Sequence, residues 1–224
     1  LIRAAYCVRT LADVAMVRRA GIPVVWTVHN LVSHDTPTPR LERWFSARLA
    51  RLADGLIAHS EAAADEIMLT LDAPRNKIAI IPHGSFTPAY GQRPPRKEAR
   101  TALGLPKEAP LVLFFGLVRP YKGVLNLLRA WAALGECRGK ALLLVAGDAP
   151  DPNHAAEVRR LAAKTTGVHL DLRRILDEEV PSLMSAADFI VLPFEKSLTS
   201  GTLRLARDYS VPIIVPKELA MSGE

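Results

Sequence analysis

Leu111-Val112-Leu113-Phe114-Phe115-Gly116-Leu117-Val118-Arg119-Pro120-Tyr121-Lys122-Gly123 is the stretch that decides the fold class. Five apolar residues run without a polar break, and the chain then turns at a glycine. A continuous apolar run, rather than an alternating one, predicts a strand covered on both faces. That is the condition of a strand in a parallel sheet between helix layers. An amphipathic run over residues 124–134 follows and predicts a helix. The loop between them lies at the carboxyl end of the strand, where parallel α/β sheets bind ligands.

The same rhythm extends in both directions. Apolar, β-branched runs predict strands at 24–28, 56–59, 78–81, 111–115, 141–146, 168–171, 189–192 and 212–215. Amphipathic runs predict helices at 4–19, 39–52, 61–71, 97–103, 124–134, 153–163, 177–185 and 200–208. Strand and helix in alternation give an α/β, doubly wound architecture. One stretch breaks it. His83-Gly84-Ser85-Phe86-Thr87-Pro88-Ala89-Tyr90-Gly91-Gln92-Arg93-Pro94-Pro95 is rich in Gly and Pro and has no period, so it reads as an interdomain linker. The expected organisation is two Rossmann-like domains with parallel sheets. Residues 1–84 form a partial front domain, 85–95 the linker, and 96–224 the rear domain. Three strands are few for such a sheet, and the chain stops soon after the last one, so the front domain and the C-terminal end are both expected to be incomplete.

Composition narrows the function classes. The 224 residues are 49% apolar and 23% charged, which is ordinary globular usage. No apolar run approaches the ~18 residues of a spanning helix. Cys7 and Cys137 lie far apart with no paired Cys or His nearby, which argues against a zinc site or a disulfide framework and suits a reducing cytosol. The formal charge of +6 permits partners that carry phosphate. Residues 1–60 hold eight Arg against four acids, and four of those Arg (Arg40, Arg43, Arg48, Arg51) fall in the 39–52 helix. That basic face reads either as solvated or as a peripheral contact with an anionic membrane. Scattered basic residues and 6% aromatics give no stacking platform, so no nucleic-acid partner is expected.

The chemistry-bearing residues sit after the strands. Gly116 lets the backbone turn and approach a ligand, and Arg119 and Lys122 bring two cations to a helix start whose amides favour anions. A diphosphate needs that combination; a solvated basic loop is the plain alternative. Ser200, Gly201 and Thr202 open another helix, either as a phosphate cradle or as an ordinary N-cap. His29 ends the first strand and points to a functional role there. His34 and Asp35 read as capping and solvent, and no metal set accompanies them.

Together these loops resemble the retaining, family-four type of glycosyltransferase with the two-Rossmann-domain GT-B fold. The resemblance rests on Val25-Trp26-Thr27-Val28-His29, Leu56-Ile57-Ala58-His59-Ser60-Glu61 and Ile80-Ile81-Pro82-His83-Gly84 in front, where His83 replaces the usual Asn. At the rear it rests on the 115–123 segment, Leu144-Val145-Ala146-Gly147, Asp177-Glu178-Glu179-Val180-Pro181 and the 187–193 segment. It implies that 1–84 is the acceptor-side domain and 96–224 the nucleotide-sugar-binding domain, that Arg119 and Lys122 clamp the donor diphosphate, that His29 lies beside the donor sugar, and that Arg173, Arg174 and Ile175 neighbour the nucleotide base.

Two departures from the family pattern stand out. Leu117 follows Gly116 where the family has Arg, so Arg119 substitutes. Ser197 and Leu205 occupy the positions of the usual Glu pair. The Thr199-Ser200-Gly201-Thr202 loop resembles a variant subgroup in which Ser and Gly amides hold the phosphates. The implied activity is transfer of a sugar from a nucleoside-diphosphate sugar to a hydroxyl of a saccharide or lipid-linked acceptor. No metal or other cofactor is implied, and the expected location is the cytoplasm or the inner membrane face. The rival expectations are a sugar-nucleotide epimerase of the same fold and a non-catalytic nucleotide-binding remnant.

Overall fold

The computed structural model describes residues 2–31, 36–193 and 200–217, in two compact units that meet in sequence at His83 and Gly84. Ser33, His34, Asp35, Ser197 and Thr199 lie outside the described residues, as do residues 218–224.

The front unit is built on a parallel sheet in the order β1-β2-β3, from β1 (Val25–Thr27), β2 (Gly55–Ala58) and β3 (Ile78–Ile80). Helices α2 (Pro39–Leu52) and α3 (Glu61–Leu71) connect its strands, and α1 (Ile2–Arg19), which precedes β1, packs against α2. Its core joins Val28, Leu56 and Ile78 from the sheet to Ala64, Ile67 and Leu71 of α3 and Ala50 of α2. Local chemistry sets the boundaries. Pro39 opens α2 at a position where its missing N–H costs nothing, and the Ser60 hydroxyl caps α3 by accepting from the Ala63 amide at 3.1 Å. Asp54 ties the end of α1 to the start of β1, taking Arg18 at 2.7 Å and the Val24 amide at 2.9 Å.

The rear unit has β4 (Leu111–Phe115), β5 (Leu142–Ala146), β6 (Val168–Asp171), β7 (Phe189–Val191) and β8 (Ile213–Ile214). All pair in parallel, in the order β6-β5-β4-β7-β8. Successive residues of the continuous runs point to opposite faces. Leu111, Leu113, Leu144 and Ile190 join one core with α5 (Arg96–Ala102), α8 (Val180–Ala186) and α9 (Gly201–Asp208). Phe114, Leu143, Val145 and Val191 join the other with α6 (Val124–Ala133) and α7 (Pro152–Ala162). The chain passes from β4 to β5 and β6 on one side and returns to β7 on the other side of β4. The reversal makes the β4 and β7 exits the topological switch point, the expected ligand crevice of such a sheet.

The Gly- and Pro-rich stretch at 85–95 is attached to the rear unit rather than spanning open space. It contains a short helix, α4 (Thr87–Tyr90), and Phe86 and Tyr90 pack against the first rear core. The Phe86 amide donates to Asp208 at 2.6 Å, the Tyr209 hydroxyl donates to the Gly91 carbonyl at 2.7 Å, and Ser185 donates to the Pro94 carbonyl. Two aromatic anchors hold a segment without a period against the core.

Arg100 lies in the charged run Arg96-Lys97-Glu98-Ala99-Arg100, yet it is 1% exposed. Its guanidinium meets Asp188 at 2.8 Å and donates to the carbonyls of Ala186, Pro106, Lys107 and Ala109. Asp188 also takes Arg96 at 2.9 Å and the Leu111 amide at 2.7 Å. The network pins α5, the entry to β4 and the entry to β7 to one another.

Candidate functional site

At the switch point of the rear sheet the backbone segments are in direct contact. Gly116 leaves β4 at φ +128°, and a Cβ there would meet the Thr202 hydroxyl at 3.4 Å. Gly147 leaves β5 at φ +144°, and a Cβ there would fall 2.0 Å from the Gly116 carbonyl oxygen. Only glycine fits that pair of positions. The Thr202 hydroxyl donates to the Phe115 carbonyl at 3.3 Å, which fixes the start of α9 against the end of β4. The sequence therefore brings Gly116 and the 200–202 segment together.

The loop after β4 continues through Arg119, in extended backbone, and a single 3-10 turn at Pro120–Lys122. Arg119 is half-buried, as is Lys122, whose ammonium stands 5.3 Å from the centre of the Tyr121 ring. Burial pushes the Lys122 ammonium below the ordinary lysine range. Such a cation costs less to pair with an anion than a fully solvated one. Ser200 is buried, and its hydroxyl accepts from the Leu203 amide at 3.2 Å. That side chain is an N-cap, so an anion at this helix start would meet the backbone amides, which the helix itself leaves without partners in its first turn.

Arg173, Arg174 and Ile175 follow β6. Arg173 closes its own loop, donating to Glu179 at 2.5 and 2.7 Å and pairing with Asp171 at 2.9 Å. Arg174 is exposed, and Ile175 packs half-buried against the first rear core. What this loop offers a ligand is backbone and an apolar shelf rather than the Arg173 charge.

The front unit shows what strand-by-strand reading misses. His29 stands just past β1, His59 directly after β2, and His83 after β3. Parallel register brings the three rings into a row. The centroids of His29 and His59 are 5.2 Å apart, and those of His59 and His83 4.9 Å apart. Burial first, then the neighbouring His59 and His83, holds the His29 imidazole below its ordinary range. A histidine after each of three neighbouring strands was the available signal. Among the described residues no group of three or more His, Cys, Asp or Glu is disposed to hold a metal ion. Beside α2, a cavity of about 490 Å³ is lined by Tyr6, Cys7, Leu31, Leu41 and Phe45, and Arg3 and Glu42, also in its lining, pair with each other at 3.9 Å. Arg40, Arg43, Arg48 and Arg51 are exposed on α2, with the Arg48 guanidinium 5.9 Å from the centre of the exposed Trp44 ring. Among the described residues no helix is long and apolar enough to cross a membrane.

Residues 5–85 match the family model described as Glycosyltransferase Family 4, and residues 109–219 match Glycosyl transferases group 1. The chain is related to the family-four glycosyltransferases of GT-B fold. It is 29% identical over 78% of its length to a D-inositol 3-phosphate glycosyltransferase of Salinispora arenicola. It is 31% identical over 79% of its length to the protein of that name in Streptomyces avermitilis. It spans 44% and 41% of those relatives' lengths. Among solved structures, Anabaena HepE in complex with UDP-glucose superposes with a TM-score of 0.76 at 20% identity, over 93% of this chain and 57% of that one. Each unit of this family-four relative is thus a parallel, Rossmann-like sheet, as the sequence predicts.

Proposed function

We propose that the chain carries the donor grip of a retaining, metal-independent glycosyltransferase that moves a sugar from a nucleoside-diphosphate sugar to an acceptor hydroxyl. The observation that carries this reading is the contact of Gly116, Gly147 and Thr202 at the rear switch point. Small residues there leave backbone amides and a helix start open to a diphosphate. Breaking the bond between the anomeric carbon and the diphosphate oxygen leaves charge on the departing group. Arg119, Lys122 and the amides of residues 200–202 stabilise that charge, which is the largest catalytic contribution such a site offers. Fixed cations and amides serve where a metal would otherwise be required. The 173–175 loop takes the nucleotide base, and on the front unit His29 binds a sugar hydroxyl.

On the front unit, the apolar cavity beside α2 suits the greasy part of a glycolipid acceptor. The basic face of Arg40, Arg43, Arg48 and Arg51, with Trp44 among them, suits an anionic membrane surface at the cytoplasmic side.

UDP-glucose, the molecule held by HepE, is the first donor to test. Calorimetry of the 224-residue chain with UDP and UDP-glucose should give saturable binding that is the same in EDTA and in Mg²⁺. No binding of any nucleoside diphosphate or its sugar would remove the donor site. Affinity that disappears in EDTA would remove metal independence. Vesicle flotation should retain the chain on anionic lipid and not on neutral lipid, and equal behaviour on both would remove the membrane contact.

A further inference from the structure

The start of α9 carries the 200–202 amides, and a side chain from the Gly/Pro-rich stretch stands against it. A Cβ on Gly201 would lie 3.7 Å from Cζ and 4.0 Å from Cε2 of the Phe86 ring. The ring is therefore within van der Waals reach of the first helical residue. The same residue reaches the other end of the helix, because its amide donates to Asp208 at 2.6 Å. The Asp208 side chain, 6% exposed, also pairs with Arg204 at 3.1 Å, one turn earlier. The Phe86 carbonyl accepts from the Ala89 and Tyr90 amides at 2.9 and 3.1 Å, so both backbone groups of Phe86 are in use and aim its ring. Farther along, the hydroxyl of Tyr209, the residue that ends α9, donates to the Gly91 carbonyl, and the Tyr209 carbonyl accepts from Arg93 at 2.9 Å. All of these residues belong to the rear unit. Segment 86–93 is thus tied to both ends of α9.

A helix of eight residues is too short to hold its own ends, so its first turn depends on tertiary contacts. Leu203, Leu205 and Ala206 bury its apolar side, and Thr202 fixes the first turn to the Phe115 carbonyl. Phe86 supplies a second hold on that turn. Backbone amides stabilise an anion best where they are fixed in advance. We propose that Phe86 is a positioning residue for the first turn of α9, and that docking of segment 86–93 on α9 is coupled to diphosphate binding at the helix start. The proposal rests on the reading of residues 200–202 as part of the donor grip. Coupling is reciprocal: the factor that docking adds to the affinity, the bound diphosphate adds to the stability of docking. The segment through which the chain enters the rear unit thus senses occupancy of the donor site.

The test compares Phe86→Leu with Tyr90→Leu. Both side chains pack against the first rear core, with their rings 6.0 Å apart, but of the two only Phe86 comes within 4 Å of the Gly201 position. UDP affinity of the 224-residue chain is measured by calorimetry. Phe86→Leu should weaken it about five- to tenfold, the lower end for coupled sites, and Tyr90→Leu by no more than about twofold. Hydrogen exchange of the wild-type chain, followed by NMR, reads the reverse direction. Saturating UDP should slow exchange of the Phe86 amide by a factor similar to the one that Phe86→Leu takes from the affinity. Unchanged affinity in Phe86→Leu overturns the proposal. An equal loss in Tyr90→Leu overturns it too, as does a Phe86 amide indifferent to UDP.

Exchange without ligand separates this proposal from the donor reading. Phe86→Leu should speed exchange of the Leu203 and Arg204 amides, which donate to the Ser200 hydroxyl and carbonyl in the first turn. Tyr90→Leu should leave both amides as they are. A wild-type chain that binds no nucleoside diphosphate would strike the donor reading, and these two amides would still decide whether Phe86 positions the helix start. Unchanged exchange there in Phe86→Leu overturns the positioning role.

Discussion

The two sheets reach their functional ends by different means. In the rear unit, side chains cover both faces of β4 and β5, and the groups at the switch point are backbone: two glycines and a helix start. In the front unit, the described core gathers around β2 and α3, and the groups at the sheet's end are three imidazoles. The front unit also leaves apolar surface uncovered: Tyr6 and Met16 on α1 are 70% and 67% exposed, and Val25 on the edge strand β1 is 59% exposed. A backbone site demands a rigid, close-packed frame, because amides cannot be re-aimed by a rotamer change. A side-chain site tolerates a looser frame, since the rings orient one another.

Gly147→Ala should break this contrast most severely. The new methyl would meet Gly116 backbone at 2.0 Å in a residue already at φ +144°, and no flexible side chain can yield. We expect at least ~4 kcal/mol of destabilisation confined to the rear unit. Denaturation followed by Trp131 fluorescence reads the rear core, and Trp26 and Trp44 read the front. Gly84→Ala is the control, with nothing within 4 Å, and should lie within about 0.5 kcal/mol of wild type. A stable Gly147→Ala variant would mean that the rear frame is not over-determined at this point.

Arg100→Met comes next. It leaves several buried carbonyls and part of Asp188 without their donor, which typically costs ~3–5 kcal/mol. Arg96 still holds Asp188, so the lower end is expected. The loss should again appear in the Trp131 transition and leave the front probes unmoved. A coincident loss of both transitions would show that the two units unfold as one.

Lys122→Ala sharpens the comparison at the ligand. A charge-assisted hydrogen bond is worth roughly 1.5–3 kcal/mol, so UDP affinity should fall on the order of tenfold or more while stability hardly changes. Unchanged affinity by calorimetry in this variant and in Arg119→Ala would move the diphosphate elsewhere.

Much of this was legible because period and continuity are local signals. The apolar run at Leu111–Phe115 and the amphipathic segments Pro39–Leu52, opened by a proline, and Glu61–Leu71, capped by Ser60, have the bounds that the sequence predicts. What escaped depends on partners distant in sequence. Phe86 finds Asp208, and Arg100 finds Asp188, across 122 and 88 residues, so the Gly/Pro stretch docks on the rear core and one arginine of α5 is buried. The histidine row arises from register between strands, which no single motif contains. His29 was visible as the end of one strand. His59 and His83 acquire meaning only once β1, β2 and β3 are known to lie side by side.

The smallest effect concerns the loop after β6, where the rear unit relies on side chains as the front unit does. Glu179 receives Arg173 and the Leu176 amide, and these hydrogen bonds, the Arg173 one foremost, draw its carboxyl down from 4.5 to about 2. The folded value lies below the unfolded one, so the folded chain holds its carboxylate while the unfolded chain takes up a proton. The stabilisation is therefore complete above the ordinary carboxylate range and is lost as pH falls from about 4.5 towards about 2. Both partners are partly exposed, with side chains 48% and 28% accessible. Screening by solvent keeps the contribution small. Glu179→Gln should thus be slightly less stable than wild type at neutral pH, and the gap should close as the pH approaches 2. A gap that stays constant with pH would assign the effect to packing of the 173–179 loop rather than to charge. The loop would then present its backbone to a nucleotide base without help from the Arg173–Glu179 pair.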